Sequence, residues 1–295
     1  MLRRYPPFID RYDNLWPVSR ILTIFSTQDG LNWKRHYYSL PDETDPPNMQ
    51  HYGSSLYRAP KGNDLMVGFM SPYDAHTQQY DVEITWSWNG EDWHRFDGHP
   101  RWIPNSTVPD KPAFGIINMH DNIVEKDGVI YHEIGWATCM PHFAGDNTSA
   151  PGRGGQLTGE EVRKTNEKRG VSTSWPYWSH YGSWDKLAES WNKVTTTCGV
   201  AKYRKGGLFG AVAGKTAASF VTRPMSAKGK LTANIKVNAG GTAKFSLLGK
   251  DGKVIATKEL SGDGVALPLF DTLPDGDFRI AAELQDAVLY TLNFE

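Results

Sequence analysis

Cysteine is scarce, with 2 in 295 residues, Cys139 and Cys198. A disulfide framework is therefore excluded as the main source of stability; the pair forms one bridge or remains as buried thiols, and its spacing matches no metal motif. No block of like charge occurs and the formal net charge is −1, so neither nucleic acid nor a membrane surface is an expected partner. No run is long and apolar enough to span a bilayer, and the basic start Met1-Leu2-Arg3-Arg4 has no apolar stretch after it. The chain is thus expected to be soluble, and periplasmic or secreted if a signal peptide lies upstream of Met1. No His-x-x-x-His spacing occurs among the 9 histidines, and neither a metal nor a cofactor is expected.

What is abundant is aromatic: 11 Trp and 13 Tyr, more than a core of this size needs. Planar rings pack well in β-sheets and also stack on the apolar faces of sugar rings. Several of them punctuate a repeated turn. Ser26-Thr27-Gln28-Asp29-Gly30-Leu31-Asn32-Trp33 and Ser87-Trp88-Asn89-Gly90-Glu91-Asp92-Trp93 share a hydroxyl, then Asp-Gly or Asn-Gly, then Trp three residues after the glycine. Each follows an apolar run, Ile21 to Phe25 and Val82 to Trp86. A worn third copy spans Tyr203 to Phe209. Asp-Gly and Asn-Gly close tight hairpins, and recurrence at one offset reads as a structural repeat. The turn resembles the Asp-box of sialidases and other sugar-processing β-propellers.

Placing each turn between the third and fourth strands of a blade organises the rest. One blade is expected over Gln50 to Arg58, Asp64 to Met70, Tyr80 to Trp86 and Asp92 to Phe96. A second is expected over Gly115 to Glu125, Val129 to Thr138, Gly199 to Tyr203 and Leu208 to Val212, with Lys126-Asp127-Gly128 as a hairpin turn. Between its second and third strands lies an excursion at about 140–197, with a capping box at Thr158 to Glu161 and an aromatic cluster at Trp175, Tyr177, Trp178, Tyr181 and Trp184. Long insertions in compact domains are usually functional lids or disordered segments, and the density of Trp and Tyr favours an ordered lid here. From about 216 to 295 the alternating segments Lys230 to Val237, Thr242 to Leu248, Val254 to Glu259 and Phe278 to Phe294 read as a small antiparallel β-sandwich, with a turn at Lys250-Asp251-Gly252-Lys253. The expected fold is all-β: a β-propeller over 1–215 followed by a β-sandwich over 216–295.

The order Arg20-Ile21, Ser26 to Trp33, a Pro/Asp loop, His51-Tyr52-Gly53, then Asp81-Val82-Glu83 running into Ser87 to Trp93 is similar to the later blades of five-bladed propellers related to glycoside hydrolases, the invertase, levansucrase and arabinanase group. Gly199 to Gly206, Phe220 to Pro224 and Gln285 to Tyr290 resemble the join to a C-terminal sandwich in such proteins. The resemblance implies a glycoside hydrolase acting on a poly- or oligosaccharide. That group carries a transition-state Asp in an Arg-Asp-Pro context, which is missing here; Thr222-Arg223-Pro224 lacks the carboxylate. A closed ring of blades of this length needs roughly two more, so the propeller is incomplete, and upstream blades or another chain would complete it.

In such a ring the innermost strands line the funnel. Their polar residues and those of the second strands are the candidate site: Asp121, Glu133 and Asp74 as catalytic carboxylates, and His51, Tyr52, His120 and His132 as substrate-binding groups. Trp175, Trp178 and Trp184 are the expected aromatic platforms of the lid. Glycosidases need two carboxyl groups roughly 5 to 10 Å apart across the bond. Two alternatives remain open: a non-catalytic sugar-binding propeller, and a polysaccharide lyase using a His or Tyr base to remove the proton beside a uronate carboxylate.

Overall fold

The computed structural model describes residues 8–9, 15–16, 21–39, 42–46, 49–58, 65–74, 77, 79–139, 158–168, 178–193 and 196–295. Among them the chain is all-β apart from three helices, and no helix is long and apolar enough to cross a membrane. It divides into two compact units. The first comprises residues 1–123 and 132–201; the second comprises 124–131 and 202–295.

In the first unit, β1 (Phe8–Ile9) and β2 (Leu15–Trp16) form a short ladder, and β3 (Leu22–Ser26) pairs with β4 (Lys34–Ser39). The β3–β4 turn shows why its residues are specified. Asp29 Oδ1 accepts from the amides of Leu31 at 2.8 Å and Asn32 at 2.7 Å, while the Gly30 amide, at φ +74°, donates to the Thr27 hydroxyl at 2.9 Å. Those bonds hold the Asp29 carboxyl far below the usual carboxylate range, with the Asn32 amide the leading cause. The second copy repeats the pattern. Asn89 Oδ1 accepts from Glu91 and Asp92 at 2.9 and 2.8 Å, and the Gly90 amide donates to Ser87 Oγ at 2.9 Å. Ser26 pairs with Lys34 as Trp86 pairs with His94, so Trp33 and Trp93 hold equivalent positions. Their environments differ. Trp33 is exposed, whereas Trp93 donates its indole N–H to the Gly90 carbonyl at 2.9 Å and lies 4.6 Å from the Tyr38 ring.

The second turn belongs to a meander of β5 (Met49–Arg58), β6 (Met66–Asp74), β8 (Val82–Ser87) and β9 (His94–Arg95), hydrogen-bonded in that order. The short β7 (Gln79–Tyr80) lies between β6 and β8 in the chain, and β10 (Arg101–Ile103) pairs with the start of β8. β6 and β8 are buried along nearly their whole length. Gly68 in β6 is where the buried Tyr38 side chain crosses: a Cβ there would sit 1.7 Å from the Tyr38 hydroxyl, which is hydrogen-bonded to Ser54 and Thr85 at 2.6 Å each. Burial pushes that phenol up to about 12. Gly68→Ala should therefore cost about 1–3 kcal/mol, read as a lower urea midpoint with unchanged slope; a midpoint equal to that of the parent would show that Tyr38 moves aside freely.

β7 pairs in parallel with β11 (Ile116–Lys126), which continues to β12 (Val129–Thr138) and β13 (Thr196–Arg204). Asp127 and Gly128, at φ +51° and +73°, make the two-residue turn of the β11–β12 hairpin. Between β12 and β13 run α1 (Gly159–Lys168), α2 (Trp178–Tyr181) and α3 (Trp184–Asn192). The capping box is formed: the Glu161 amide donates to Thr158 Oγ1 at 3.3 Å, and the Thr158 amide donates to Glu161 Oε2 at 2.8 Å.

The third turn departs from expectation. After β13, Gly206 takes φ +64° and the chain enters β14 (Ala211–Ala213), which pairs not with β13 but with the last strand. In the second unit β14, β15 (Ala218–Val221), β16 (Leu231–Leu248), β17 (Val254–Leu260), β18 (Asp263–Phe270) and β19 (Arg279–Phe294) form one six-stranded antiparallel sheet. A register shift between Val237 and Thr242 divides the β16–β19 ladder, with β18 on the first half of β16 and β17 on the second. Bulges of this kind let a strand turn from one layer to the next. Leu231, Ile235, Phe245, Leu247, Phe278 and Ile280, drawn from both halves, share one buried cluster.

Candidate functional site

The β11–β12 hairpin presents two different faces. On one, Glu133 Oε1 lies 3.6 Å from His120 Nδ1, and Asn122 donates its amide N–H to Glu133 Oε2. Counting back from the Asp127-Gly128 turn sets Asn122 opposite Glu133 and His120 opposite Gly135. The His120 ring accordingly covers Gly135, where a Cβ would meet its Nε2 at 2.0 Å. Both members of the His–Glu pair are open to solvent, with side chains 46% and 34% exposed.

Strand alternation turns Asp121 and His132 to the other face. There Asp121 Oδ1 accepts from the Leu56 amide of β5 at 3.1 Å, so the carboxylate holds the neighbouring strand. His132 is fully buried, 2.7 Å through Nε2 from the His120 carbonyl and 4.5 Å from the Phe69 ring. Burial lowers its pKa. Asp121 and Glu133 thus project to opposite sides of one ladder. Asp74 lies elsewhere again, at the end of β6, where it accepts from the Thr77 amide at 3.0 Å.

The other named residues divide. Tyr52 stacks on Tyr80 at 5.5 Å. Trp178 and Trp184 pack on each other at 4.6 Å, and α2 is tied down through Asp110, which is 3.0 Å from His180 Nε2 and accepts from the Tyr181 hydroxyl at 3.1 Å. Trp175 lies outside the described residues.

His51 is buried 4.0 Å from Asp45, at the edge of a cluster that sequence reasoning missed. Arg95, on β9, makes two bidentate contacts. Its NH1 and NH2 donate to Asp45 at 2.5 and 2.9 Å, and its Nε and NH2 donate to Glu83 at 2.7 and 3.0 Å. Arg101 on β10 bonds Glu83 at 2.6 Å and Asp81 at 2.9 Å. His99 lies 3.1 Å from Asp42, 2.7 Å from the Thr44 hydroxyl and 3.5 Å from Glu83. Side-chain exposure is 1% for Glu83, 3% for Asp45 and 8% for Arg95. Burial alone would raise the Asp45 pKa, but the Arg95 hydrogen bonds and charge hold it down. Asp81 goes the other way: burial outweighs Arg101 and lifts it to about 6.

Asp42, Asp45 and His99 also bring one possible ligand atom each within 4.8 Å of one another. The guanidinium doubly bonded to Asp45 already puts a fixed cation there, which a metal ion would have to displace. The available signal in the sequence was Glu83, a charged residue inside the apolar β8 run Val82-Glu83-Ile84. Its partners are not local in sequence.

No protein-family model matches the chain, nor does any curated protein sequence. Among solved structures it is similar to a GH32 β-fructofuranosidase, BmSUC1 of Bombyx mori, at 10% identity and a TM-score of 0.27. The match covers 93% of this chain and 61% of that enzyme's chain. That TM-score is below what a shared fold requires, so the functional reading rests on the residues of this chain.

Proposed function

We propose that this chain is a carbohydrate-active protein that cleaves a glycosidic bond, with Glu133 as the proton-donating carboxyl. The observation that supports it is the exposed Glu133 held between His120 and Asn122. Glycosidic cleavage asks for a carboxyl fixed in direction yet reachable by the leaving-group oxygen, and for a second carboxylate as nucleophile or base, which Asp121, on the opposite face of the ladder, does not supply. Two equivalent Asp-box hairpins and the surplus of aromatic residues agree with a glycan-directed protein. The accompanying architecture is a five-bladed propeller in which β5–β6–β8–β9 is one blade and β3–β4 is the outer half of another. Further blades come from an upstream segment or another chain, and Trp178 and Trp184 belong to its lid.

The test is turnover of neutral, sulfated and uronic-acid glycans, with analysis of the products. Glu133→Gln should lower release of reducing ends at least about 10²-fold with an unchanged circular dichroism spectrum. Parent-like rates in the variant would remove Glu133 from the chemistry. One observation favours elimination as a second reading: the accessible His120 imidazole, paired with a carboxylate, has the form of a general base. An ultraviolet-absorbing unsaturated uronate as product would select it. Binding without turnover of any glycan in the set would leave a lectin-like module.

A further inference from the structure

A cavity of about 460 Å³ opens beside the Arg95 cluster, away from the Glu133 face in the chain, and its walls combine Tyr37, Trp93 and Phe96 with Asp42, Thr44 and His99. Its size lies in the range of small-molecule sites. The aromatic part is built in advance. Trp93 is fixed by its bond to the Gly90 carbonyl of the second turn and by the Tyr38 ring, while Tyr37, with the Arg35 guanidinium 5.2 Å over its ring, and Phe96 are partly exposed.

The polar part sets the carboxylates of Asp42 and Asp97 beside the imidazoles of His94 and His99. Asp42 takes bonds from the Thr44 amide and hydroxyl at 2.8 and 2.7 Å and lies 3.1 Å from His99 Nε2, and its side chain is 42% exposed. Burial would raise the Asp42 carboxyl, but these bonds together with His99 hold it down at about 2. Asp97 adds a second carboxylate to the wall. Arg95 also reaches the wall, but four of its five N–H donors are engaged by Asp45 and Glu83, so it offers little to an anion.

We infer that this cavity is a binding site for a neutral saccharide, with a sugar face on the aromatic wall and adjacent hydroxyls donating to Asp42. Rings that stack and a carboxylate that accepts two hydroxyl protons are the complementary chemistry of an uncharged pyranose or furanose. A uronate or sulfate would bring like charge against Asp42 and Asp97. The site is independent of the assignment of Glu133.

The test is calorimetric titration of the full chain with neutral oligosaccharides (gluco-, xylo-, manno- and fructo-) and with oligogalacturonate and heparin fragments. Tyr37→Ala and Asp42→Asn are suitable variants, because Tyr37 is exposed and an amide at position 42 still accepts from Thr44. At least one neutral sugar should bind, each variant should weaken it roughly tenfold, and Glu133→Gln should bind it as the parent does. Absence of binding across the neutral set, binding untouched by both variants, or tighter binding of the acidic fragments would each overturn the inference. Loss of binding in Glu133→Gln alone would also overturn it, by moving the saccharide to the β11–β12 face.

Discussion

Arg95→Ala is expected to remove about 3–5 kcal/mol from the stability of the first unit, the usual cost of stripping one partner from a buried ion pair. The reason is what remains. Asp45 and Glu83 would be left as charges with side chains 3% and 1% exposed, and only Glu83 would retain another guanidinium, that of Arg101. All eleven tryptophans precede residue 192, so tryptophan fluorescence during urea unfolding reports the first unit alone. Arg95→Lys should fall between parent and alanine variant, because an ammonium keeps the charge and loses the planar fork that serves two carboxylates at once. The triple change Asp45→Asn, Glu83→Gln, Arg95→Met should recover much of the loss, since positions 45, 83 and 95 then carry no stranded charge and Arg101 keeps Asp81 as its partner. An alanine variant within about 1 kcal/mol of the parent would mean that water reaches the cluster and the pairs are of the weak surface kind.

This cluster also marks where the sequence stops being readable. The Asp-Gly and Asn-Gly hairpins were legible because turn chemistry is local: Asp29 and Asn89 bond amides two and three residues on, and the register follows. The capping box of α1 is local in the same way. The Arg95 cluster draws on the β4–β5 loop, β8, β9 and β10, and Asp45 and Arg95 lie 50 residues apart. No spacing rule connects them before the meander is folded. The third turn was misread for the same reason. Gly206-Gly207 looks like a hairpin, yet the partner of β14 is β19, more than seventy residues downstream. β18, with Gly264 and Pro268 inside it, carries the residues that argue against a strand, and it forms on one side of β16 only, where such residues are tolerated.

The candidate site shows the same division at finer scale. His120, Asn122 and Glu133 come together because a two-residue turn sets the register of their hairpin. Asp121, one residue away, was grouped with them by proximity in sequence, and the period of two in a strand separates them. A sequence-level list of polar residues on a strand therefore needs sorting by parity before any two are paired as acid and base.

Asp81 predicts a pH dependence of opposite sign to the ordinary acid denaturation of a carboxylate. Its folded pKa, about 6, lies above the value of 3.8 for a free Asp, so the folded state binds the proton more tightly than the unfolded chain. The resulting stability is fully present below about pH 4, where it approaches about 3 kcal/mol, and is lost as pH rises through 6. Between pH 5 and 7.5 the change amounts to about 1–1.5 kcal/mol. Asp42 and Asp45 have lowered pKa values and act in the other direction, contributing stability above about pH 4 that disappears as acid titrates them. His132, buried with a lowered pKa, likewise loses stability as pH falls below its free value of 6.5, and so opposes Asp81 over the same interval. The Asp81 contribution is therefore read as a difference. Urea unfolding of the parent and of Asp81→Asn, followed by tryptophan fluorescence at pH 5 and 7.5, should show the parent losing about 1–1.5 kcal/mol relative to the variant at the higher pH. The amide introduced at position 81 cannot ionise and still accepts a hydrogen bond from Arg101, which keeps Glu83 as its charged partner. A stability difference between parent and variant that stays constant over the two pH values would show that Asp81 is ionised throughout, with Arg101 overriding its burial.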